Sequence, residues 1–364
     1  MTEDEQALRL GCAHILPGHK TVPVPGLLQA LAAHPAAQRQ PDFYGSGGAV
    51  SELEERTAAL LGKERGLFVI KGVTAQFSVL RRYAEQAGTD NVAIHPLSHI
   101  DVDELNGLER VAGLAPVRLG SSGPFLLRDV ERISDPLAAI VVELPLRRAG
   151  YLLPPLDELK AISAWCRSRD IPLHFDGARL WEAAAGYGIA LRELADLADS
   201  IYVSFYKGMG GLGGAVVAGS GDFIASLGTW KARFGGNLFT AFPYALSALS
   251  GLDHHLPAMP DYVARAREMA AKLSERFLVN PMMPHANAFQ LILPGKPEGL
   301  TTLNRRFAAE KGVWLFNTVV TAPLAGHAIA EVVIGDNSRS HTAADAVGWI
   351  EAFIEEARAE QGQE

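Results

Sequence analysis

The chain has 364 residues, of which 48% are hydrophobic and 20% charged, enough apolar material for two domains with their own cores. Its net charge of −8 argues against a nucleic acid partner, because no basic block is present to meet a phosphate backbone. The two cysteines, Cys12 and Cys166, are too few for a disulfide framework or a four-cysteine zinc site, and no metal site is expected.

The N-terminal part of the chain differs in character from the rest. Residues 1–6 are acidic and lack the pattern of a secretion signal, and no apolar run approaches the roughly 18 residues of a membrane span. We therefore expect a soluble, cytoplasmic protein without a membrane partner. Residues 1–44 are rich in Pro, Gly and His, with one short apolar helix over 27–33. We expect an otherwise irregular N-terminal arm that lies on another surface.

From residue 45 onward, strand-like and helix-like segments alternate. A helix is predicted over 51–61, with Ser51 as its N-cap and Glu54 completing a capping box. Strands are predicted at 66–70, 92–95, 116–119, 138–143, 171–175 and 201–205, with helices over 74–86 and 157–169. This order predicts an α/β domain over 45–250, built on a mostly parallel sheet that helices cover on both faces.

The remainder, 251–364, is predicted to form a small C-terminal α+β domain. A long helix is predicted over 261–277, and a second apolar helix closes the chain at 343–357. Between them we predict the strands 288–293, 313–316 and 330–334 and a helix over 300–311.

An acid and a lysine at the ends of two neighbouring strands indicate the chemistry. Asp176 follows the run 171–175, and Lys207 follows 200–206 and precedes a glycine-rich stretch. Ligands of parallel sheets bind beyond the carboxyl ends of the strands. A lysine that holds an aldehyde as a Schiff base, beside a carboxylate that keeps a pyridine nitrogen protonated, is what pyridoxal phosphate chemistry requires. The pair therefore predicts pyridoxal phosphate as cofactor.

An anion site is predicted where a strand turns into a helix at Gly72, Val73 and Thr74. Backbone amides at a helix N-terminus and a threonine hydroxyl are suited to a phosphate group. A further candidate is Arg179, which emerges beside Asp176 and is able to grip a carboxylate with two parallel hydrogen bonds.

The segments 174–179, His-Phe-Asp-Gly-Ala-Arg, and 207–210, Lys-Gly-Met-Gly, closely resemble the signatures of threonine aldolases. These enzymes belong, with tryptophanase and tyrosine phenol-lyase, to the β-eliminating lyase group of fold-type-I pyridoxal phosphate enzymes. The resemblance runs from about Tyr44 to Ala218. It implies an aspartate-aminotransferase-like large domain, a small C-terminal domain, and a homodimer or homotetramer with active sites at the subunit interface.

The resemblance also implies roles for single residues. Lys207 would hold the cofactor, Asp176 would contact its ring nitrogen, Arg179 would bind the substrate carboxylate, and His99 would stack on the ring and take part in catalysis. The cofactor contacts that it implies are Gly72, Val73, Thr74, His99, Glu143, Asp176, Arg179, Ser204 and Lys207. Val73 stands where the family usually has a hydroxyl-bearing residue in the phosphate loop, with Thr74 one position later, and Tyr206 replaces the usual serine before the lysine. Lys231 and Arg233 are expected as replacement phosphate contacts.

Three functions are open at this point. The first is cleavage of β-hydroxy-α-amino acids, such as L-threonine or L-allo-threonine, to glycine and an aldehyde. The second keeps pyridoxal phosphate but performs β-elimination or transamination on another amino acid. The third is a binding or regulatory protein with this fold and no reaction, against which the retained Lys207 counts.

Overall fold

The structure, a computed structural model, describes residues 2–361. It divides into two compact units. The larger unit is Pro23–Pro257, and the smaller one consists of the described parts of Met1–Val22 and Ala258–Glu364. The division into an arm over 1–44 and domains over 45–250 and 251–364 stays a prediction.

The strands are β1 His14–Ile15, β2 Arg65–Val69, β3 Asn91–Ile94, β4 Ala115–Arg118, β5 Ala139–Glu143, β6 Leu173–Gly177, β7 Ser200–Ser204, β8 Ala215–Gly219, β9 Leu278–Asn280, β10 Ala288–Pro294, β11 Val313–Trp314, β12 Val319–Thr321 and β13 His327–Val333. The α-helices are α1 Glu3–Gly11, α2 Val24–Ala33, α3 Gly48–Leu61, α4 Gly72–Ala87, α5 His99–Val102, α6 Gly107–Arg110, α7 Leu127–Val130, α8 Leu156–Arg167, α9 Leu180–Tyr187, α10 Leu191–Ala195, α11 Gly221–Ser226, α12 Gly228–Arg233, α13 Phe242–His254, α14 Met259–Ser274, α15 Pro297–Lys311 and α16 Ala343–Gln361. Short 3-10 helices occupy Pro35–Gln38, Arg147–Ala149 and Asp336–Ser340.

The larger unit is built on a seven-stranded sheet with the order β2-β8-β7-β6-β5-β3-β4. Strands β3 to β7 pair in parallel, whereas β8 runs antiparallel to both β7 and β2. The residues of β6, β7 and β8 are buried throughout, as expected of a sheet covered on both faces. The predicted α/β architecture with a mostly parallel sheet is confirmed.

The smaller unit contains a four-stranded antiparallel sheet with the order β12-β13-β10-β9. A separate parallel pair joins β1 to β11. Helices α14 and α16 pack against each other, and both contact β10. The alternating burial along β13 is typical of an antiparallel sheet with one packed face, so the predicted small α+β unit is confirmed.

Several local predictions were wrong. The N-terminal segment is not irregular, because Thr2 and Glu5 form a capping box that starts α1. Helix α3 begins at Gly48 rather than after Ser51, whose hydroxyl accepts a hydrogen bond from the Gly47 amide inside the first turn. The Glu54 carboxylate accepts a hydrogen bond from the Phe68 amide of β2 and therefore caps nothing. Strand β8 was not predicted.

Across residues 2–361, none of the helices combines the length and the apolarity needed to cross a lipid bilayer.

Candidate active site

A cleft in the larger unit lies at the carboxyl ends of β6 and β7, beside the first turn of α4. It encloses about 480 Å³ of non-atom space, counting the open solvent at its mouth. Five of the predicted site residues line it: Gly72, Val73, His99, Asp176 and Lys207. Its other lining residues are Lys71, Gln76, Ile100, Glu104, Ala178, Tyr202 and Tyr206.

Asp176 is the buried acid of the cleft. It lies inside β6 rather than after it, paired with Glu143 of β5 on one side and Tyr202 of β7 on the other. Its side chain is 4% exposed and accepts a hydrogen bond of 3.2 Å from the Ala178 amide. Burial raises the pKa of Asp176, and the positive charge of Lys207 opposes that rise. A cation in the cleft would stabilise this carboxylate further.

A buried polar chain runs behind the cleft toward Asp176. The Tyr83 hydroxyl donates to Ser200 Oγ at 2.8 Å, and Ser200 Oγ lies 2.7 Å from His174 Nδ1. His174 Nε2 lies 3.0 Å from Gln76 Oε1, and burial lowers the pKa of His174 to about 3, so the ring is neutral. Gln76 is buried at the cleft, and its side chain hydrogen-bonds Asp176, which lowers the pKa of that carboxyl.

Lys207 lies three residues beyond the end of β7, on the loop that enters the cleft. Burial lowers the pKa of Lys207, and the positive charge of Arg179 lowers it further. A larger fraction of neutral amine favours attack on a carbonyl carbon. The next residue must be glycine, because a Cβ on Gly208 would lie 2.6 Å from Cδ of Glu182 and closer still to its Oε1.

Arg179 does not line the cleft. Its Nη1 lies 3.4 Å from Oε1 of Glu182, whose side chain is fully buried, and its guanidinium lies 5.4 Å from the centre of the Tyr151 ring. Tyr151 is itself buried and has a left-handed φ of 60°, a strained conformation for a bulky residue. The guanidinium is therefore held on two sides before any substrate arrives.

His99 begins the short helix α5 and has two acidic neighbours. Its Nδ1 lies 3.0 Å from Oε1 of Glu104, and its backbone amide donates a hydrogen bond of 2.7 Å to Glu143. Glu143 also accepts from the Arg147 amide, and burial raises its pKa to about 7, with a further rise from Asp176. When Nδ1–H donates to Glu104, Nε2 carries the lone pair and is able to accept a proton.

The first turn of α4 forms the anion-binding edge. Lys71 precedes the helix without a side-chain cap, so its side chain leaves the first backbone amides uncapped, and Lys71, Gly72 and Val73 line the cleft. Gly72 is buried against Tyr202 and Tyr206, since a Cβ there would lie 2.8 Å from Cζ of Tyr202 and 3.3 Å from the Tyr206 hydroxyl. This close approach requires glycine.

Four predicted contacts do not line the cleft: Thr74, Glu143, Arg179 and Ser204. Ser204 is fully buried and donates to the Ala178 carbonyl at 2.7 Å. The predicted replacement contacts, Lys231 and Arg233, do not line the cleft of their own chain and stay a prediction. Lys231 is buried near the charges of Glu54 and Asp42, and the Arg233 guanidinium lies 4.5 Å from the centre of the Trp230 ring.

Sequence reasoning did not single out Gln76, Tyr202 or Glu182. Gln76 is four residues after Gly72, and residues at this spacing share one face of a helix, so the sequence held a signal for it. Glu182 is similarly three residues after Arg179. The role of Tyr202 depends on its register opposite Asp176, which becomes visible only in the folded sheet.

Comparison with known proteins gives the family. The family model of the beta-eliminating lyases matches residues 21–293, about three quarters of the chain. A proposed L-allo-threonine aldolase from Listeria monocytogenes superposes with a TM-score of 0.89 at 30% identity, covering 96% of this chain and 98% of that one. A proposed aromatic amino acid beta-eliminating lyase/threonine aldolase from Exiguobacterium gives 0.88 at 31%, covering 96% and 99%.

Curated relatives give shorter alignments. The low-specificity L-threonine aldolase of Eremothecium gossypii is 32% identical over 199 residues, which are 51% of each chain. That of Saccharomyces cerevisiae is 29% identical over 220 residues, 58% of this chain and 56% of the yeast protein. The chain thus spans about half the length of these relatives, while the family match and the two structures cover most of it. The predicted family and fold are confirmed: the chain belongs to the beta-eliminating lyases.

Proposed function

We propose that this protein is a pyridoxal-phosphate-dependent lyase of the threonine aldolase type. It would cleave the Cα–Cβ bond of β-hydroxy-α-amino acids and release glycine and an aldehyde. One observation carries the proposal: a single cleft holds the Lys207 amine, the buried Asp176 carboxylate, the His99 imidazole and the open N-terminus of α4.

The residues present fit pyridoxal phosphate. The family depends on this cofactor, and the cleft offers an amine for its aldehyde, a buried acid for its ring nitrogen and free amides for its phosphate. The Gln76 amide beside Asp176 is buried and helps to keep that carboxylate charged, as a protonated ring nitrogen requires. When bound, the cofactor supplies an electron-poor ring that accepts the electrons released at Cα.

The chain's own residues supply the proton transfers. His99, whose Nδ1 lies beside Glu104, would accept the β-hydroxyl proton at Nε2 as the Cα–Cβ bond breaks. Glu143 fixes the start of α5 by accepting from the His99 amide, which keeps the imidazole at the cleft. The proton that His99 accepts balances the one that Cα must regain, and the Lys207 amine, once it has taken that proton up, would deliver it to Cα and so complete glycine.

Arg179 is proposed to bind the substrate carboxylate. It lies close enough to Lys207 to lower the pKa of that amine, and its Nε has no hydrogen-bond partner in the described chain. A planar guanidinium held by Glu182 and Tyr151 loses little rotational freedom when it binds a carboxylate.

A homo-oligomer with active sites at the subunit interface belongs to the same proposal, as does a cytoplasmic location. Phe43, Tyr44 and Phe239 form an exposed aromatic cluster in the larger unit, with ring centres 4.9–5.5 Å apart. Exposed aromatic clusters are typical of surfaces that a partner covers, and a second copy of the chain would cover this one. A 39 kDa monomer in size-exclusion chromatography with light scattering would contradict the oligomer.

The test of the activity is release of glycine. Purified protein with pyridoxal phosphate is incubated with L-threonine, L-allo-threonine and phenylserine, and glycine is measured by amino-acid analysis. Lys207→Ala is the control. Glycine from at least one substrate, absent in the control, is expected; no glycine from any of the three would reject the aldol reaction.

The second candidate function is β-elimination. The similarity to the Exiguobacterium protein favours it, because that protein is named for both reactions. Pyruvate and ammonia from an aromatic amino acid, without glycine from β-hydroxy substrates, would select it. A keto acid formed together with the amine form of the cofactor would select transamination instead.

A further inference from the structure

Two tyrosine hydroxyls meet above the first turn of α4. Tyr202 reaches this point from β7, and Tyr206 from the loop directly before Lys207; their hydroxyl oxygens lie 3.1 Å apart. Both side chains line the cleft, and both lie close to Gly72, where a Cβ would be 3.3 Å from the Tyr206 hydroxyl and nearer to Tyr202. The hydroxyl pair is therefore beside the amides that open α4.

The pair carries two protons but needs only one for the bond between its members. Tyr202 is 2% exposed, and burial raises its pKa well above the usual value, so it keeps its proton. Tyr206 is less buried. If the Tyr202 hydroxyl donates to the Tyr206 oxygen, the hydroxyl proton of Tyr206 is free to point into the cleft. The buried Tyr202 donor keeps its hydrogen-bond partner in this arrangement.

The surroundings define which acceptor fits this donor. The side chains of Gly72 and Val73 have no donor, so at this edge the backbone amides, the Lys71 amine and the tyrosine hydroxyls are the available groups. Each of these groups is able to donate a hydrogen bond or carries a positive charge, and the set lies at the positive end of a 16-residue helix. A phosphate ester, with several acceptor oxygens, matches it better than a neutral group.

We propose that Tyr206, supported by Tyr202, is a direct ligand of the phosphate group of the cofactor. The inference rests on the proposed pyridoxal phosphate site and adds a residue-level claim to it. Tyr202 is a positioning residue: its bond to the Tyr206 oxygen directs the Tyr206 proton toward the phosphate.

The experiment compares pyridoxal phosphate with pyridoxal, which lacks the phosphate. Dissociation constants of both are measured by absorbance titration for the wild type, Tyr206→Phe, Tyr202→Phe and Tyr187→Phe. Tyr187 is the matched control, because its hydroxyl donates to the Pro154 carbonyl at 2.5 Å.

Tyr206→Phe is expected to weaken pyridoxal phosphate by about ten- to a hundredfold, as for a hydrogen bond to a charged group, and to leave pyridoxal within about twofold. Tyr202→Phe should have the same selectivity with a smaller loss, and Tyr187→Phe should change neither ligand. Retained pyridoxal binding shows that the variant is folded.

Equal losses for both ligands, or none, in Tyr206→Phe would overturn the inference while leaving the cofactor site in place. A wild type that binds neither ligand would overturn the proposed function and this inference together. The two failures are therefore distinguishable.

Discussion

Replacement of Gly72 by alanine tests how tightly the tyrosines pack against the start of α4. The added methyl group would lie 2.8 Å from Cζ of Tyr202 and closer to its hydroxyl, whereas ordinary contacts begin at 3.4 Å. The distance from the methyl group to Cζ is thus about 0.6 Å shorter than an ordinary contact. Tyr202 is unable to move away easily, because β7 is hydrogen-bonded between β6 and β8.

Overpacking of this kind costs about 1–3 kcal/mol of the free energy of unfolding. For a unit of this size each kcal/mol lowers Tm by about 2–4 °C, so Gly72→Ala should melt roughly 2–12 °C below the wild type. The assay is thermal unfolding followed by circular dichroism. The double variant with Tyr202→Phe should recover part of the loss, because it removes the shortest contact.

Gly228→Ala is the matched control for this experiment. Gly228 is the first residue of α12, and a Cβ there would meet no atom within 4 Å. Its Tm should equal that of the wild type or exceed it slightly. A Tm of Gly72→Ala that matches that of Gly228→Ala would refute the packing described for the cleft.

Three further predictions concern Gly208, Arg179 and His174. Gly208→Ala should lower the free energy of unfolding by about 1–3 kcal/mol, because its methyl group would press on the buried Glu182 carboxylate; an unchanged Tm in denaturation would contradict this. Arg179→Ala should raise KM for the amino acid by about tenfold or more with the dissociation constant of pyridoxal phosphate unchanged, and Arg179→Lys should recover little; unchanged KM would reassign the carboxylate site. Burial lowers the pKa of His174 to about 3, below its unfolded value near 6.5. The unfolded chain therefore binds this proton more readily, so the stability that the neutral ring contributes is complete above pH 6.5 and is lost as the pH falls. Between pH 7 and pH 5, His174 lowers the free energy of unfolding by about 2 kcal/mol. In urea denaturation, the free energy of unfolding of His174→Asn should depend correspondingly less on pH.

Much of the central sheet could be predicted from local sequence. Apolar runs such as that of β7 are buried on both faces, so their composition alone indicates strands of a parallel sheet. Parallel strands end at one edge, which is why Asp176 and Lys207 were expected together, and both line one cleft.

Strand β8 could not be predicted in the same way. Ala215–Gly219 follows a glycine-rich loop and contains only small and β-branched residues, so its local pattern is not distinctive. Its pairing with β2, about 150 residues earlier in the chain, stabilises it, and such pairing is invisible in a local window.

The start of α3 shows a second limit. Ser51 and Glu54 have the spacing of a capping box, but Gly47 and Gly48 adopt left-handed φ values of 92° and 59° and let the chain enter the helix earlier. The Glu54 carboxylate then meets the amide of Phe68 on β2. A tertiary contact thus uses a side chain that the local pattern assigns to a cap.

The same limit applies to Arg179. Arg179 was predicted as a site residue because it follows Asp176 closely in the sequence. Tyr151, whose ring lies beside the Arg179 guanidinium, is 28 residues earlier in the chain and has a strained backbone conformation. Nothing local indicates that these two side chains meet. The environment of a site residue therefore requires the fold, even where its identity does not.

The most direct test of the central claim is to locate the lysine that binds the cofactor aldehyde. The protein is incubated with pyridoxal phosphate, reduced with borohydride and digested, and the modified peptide is identified by mass spectrometry. A pyridoxyl group on Lys207, absent from that position in Lys207→Ala, is the expected result. A modification confined to other lysines, such as the exposed Lys71, or no modification at all, would contradict the account.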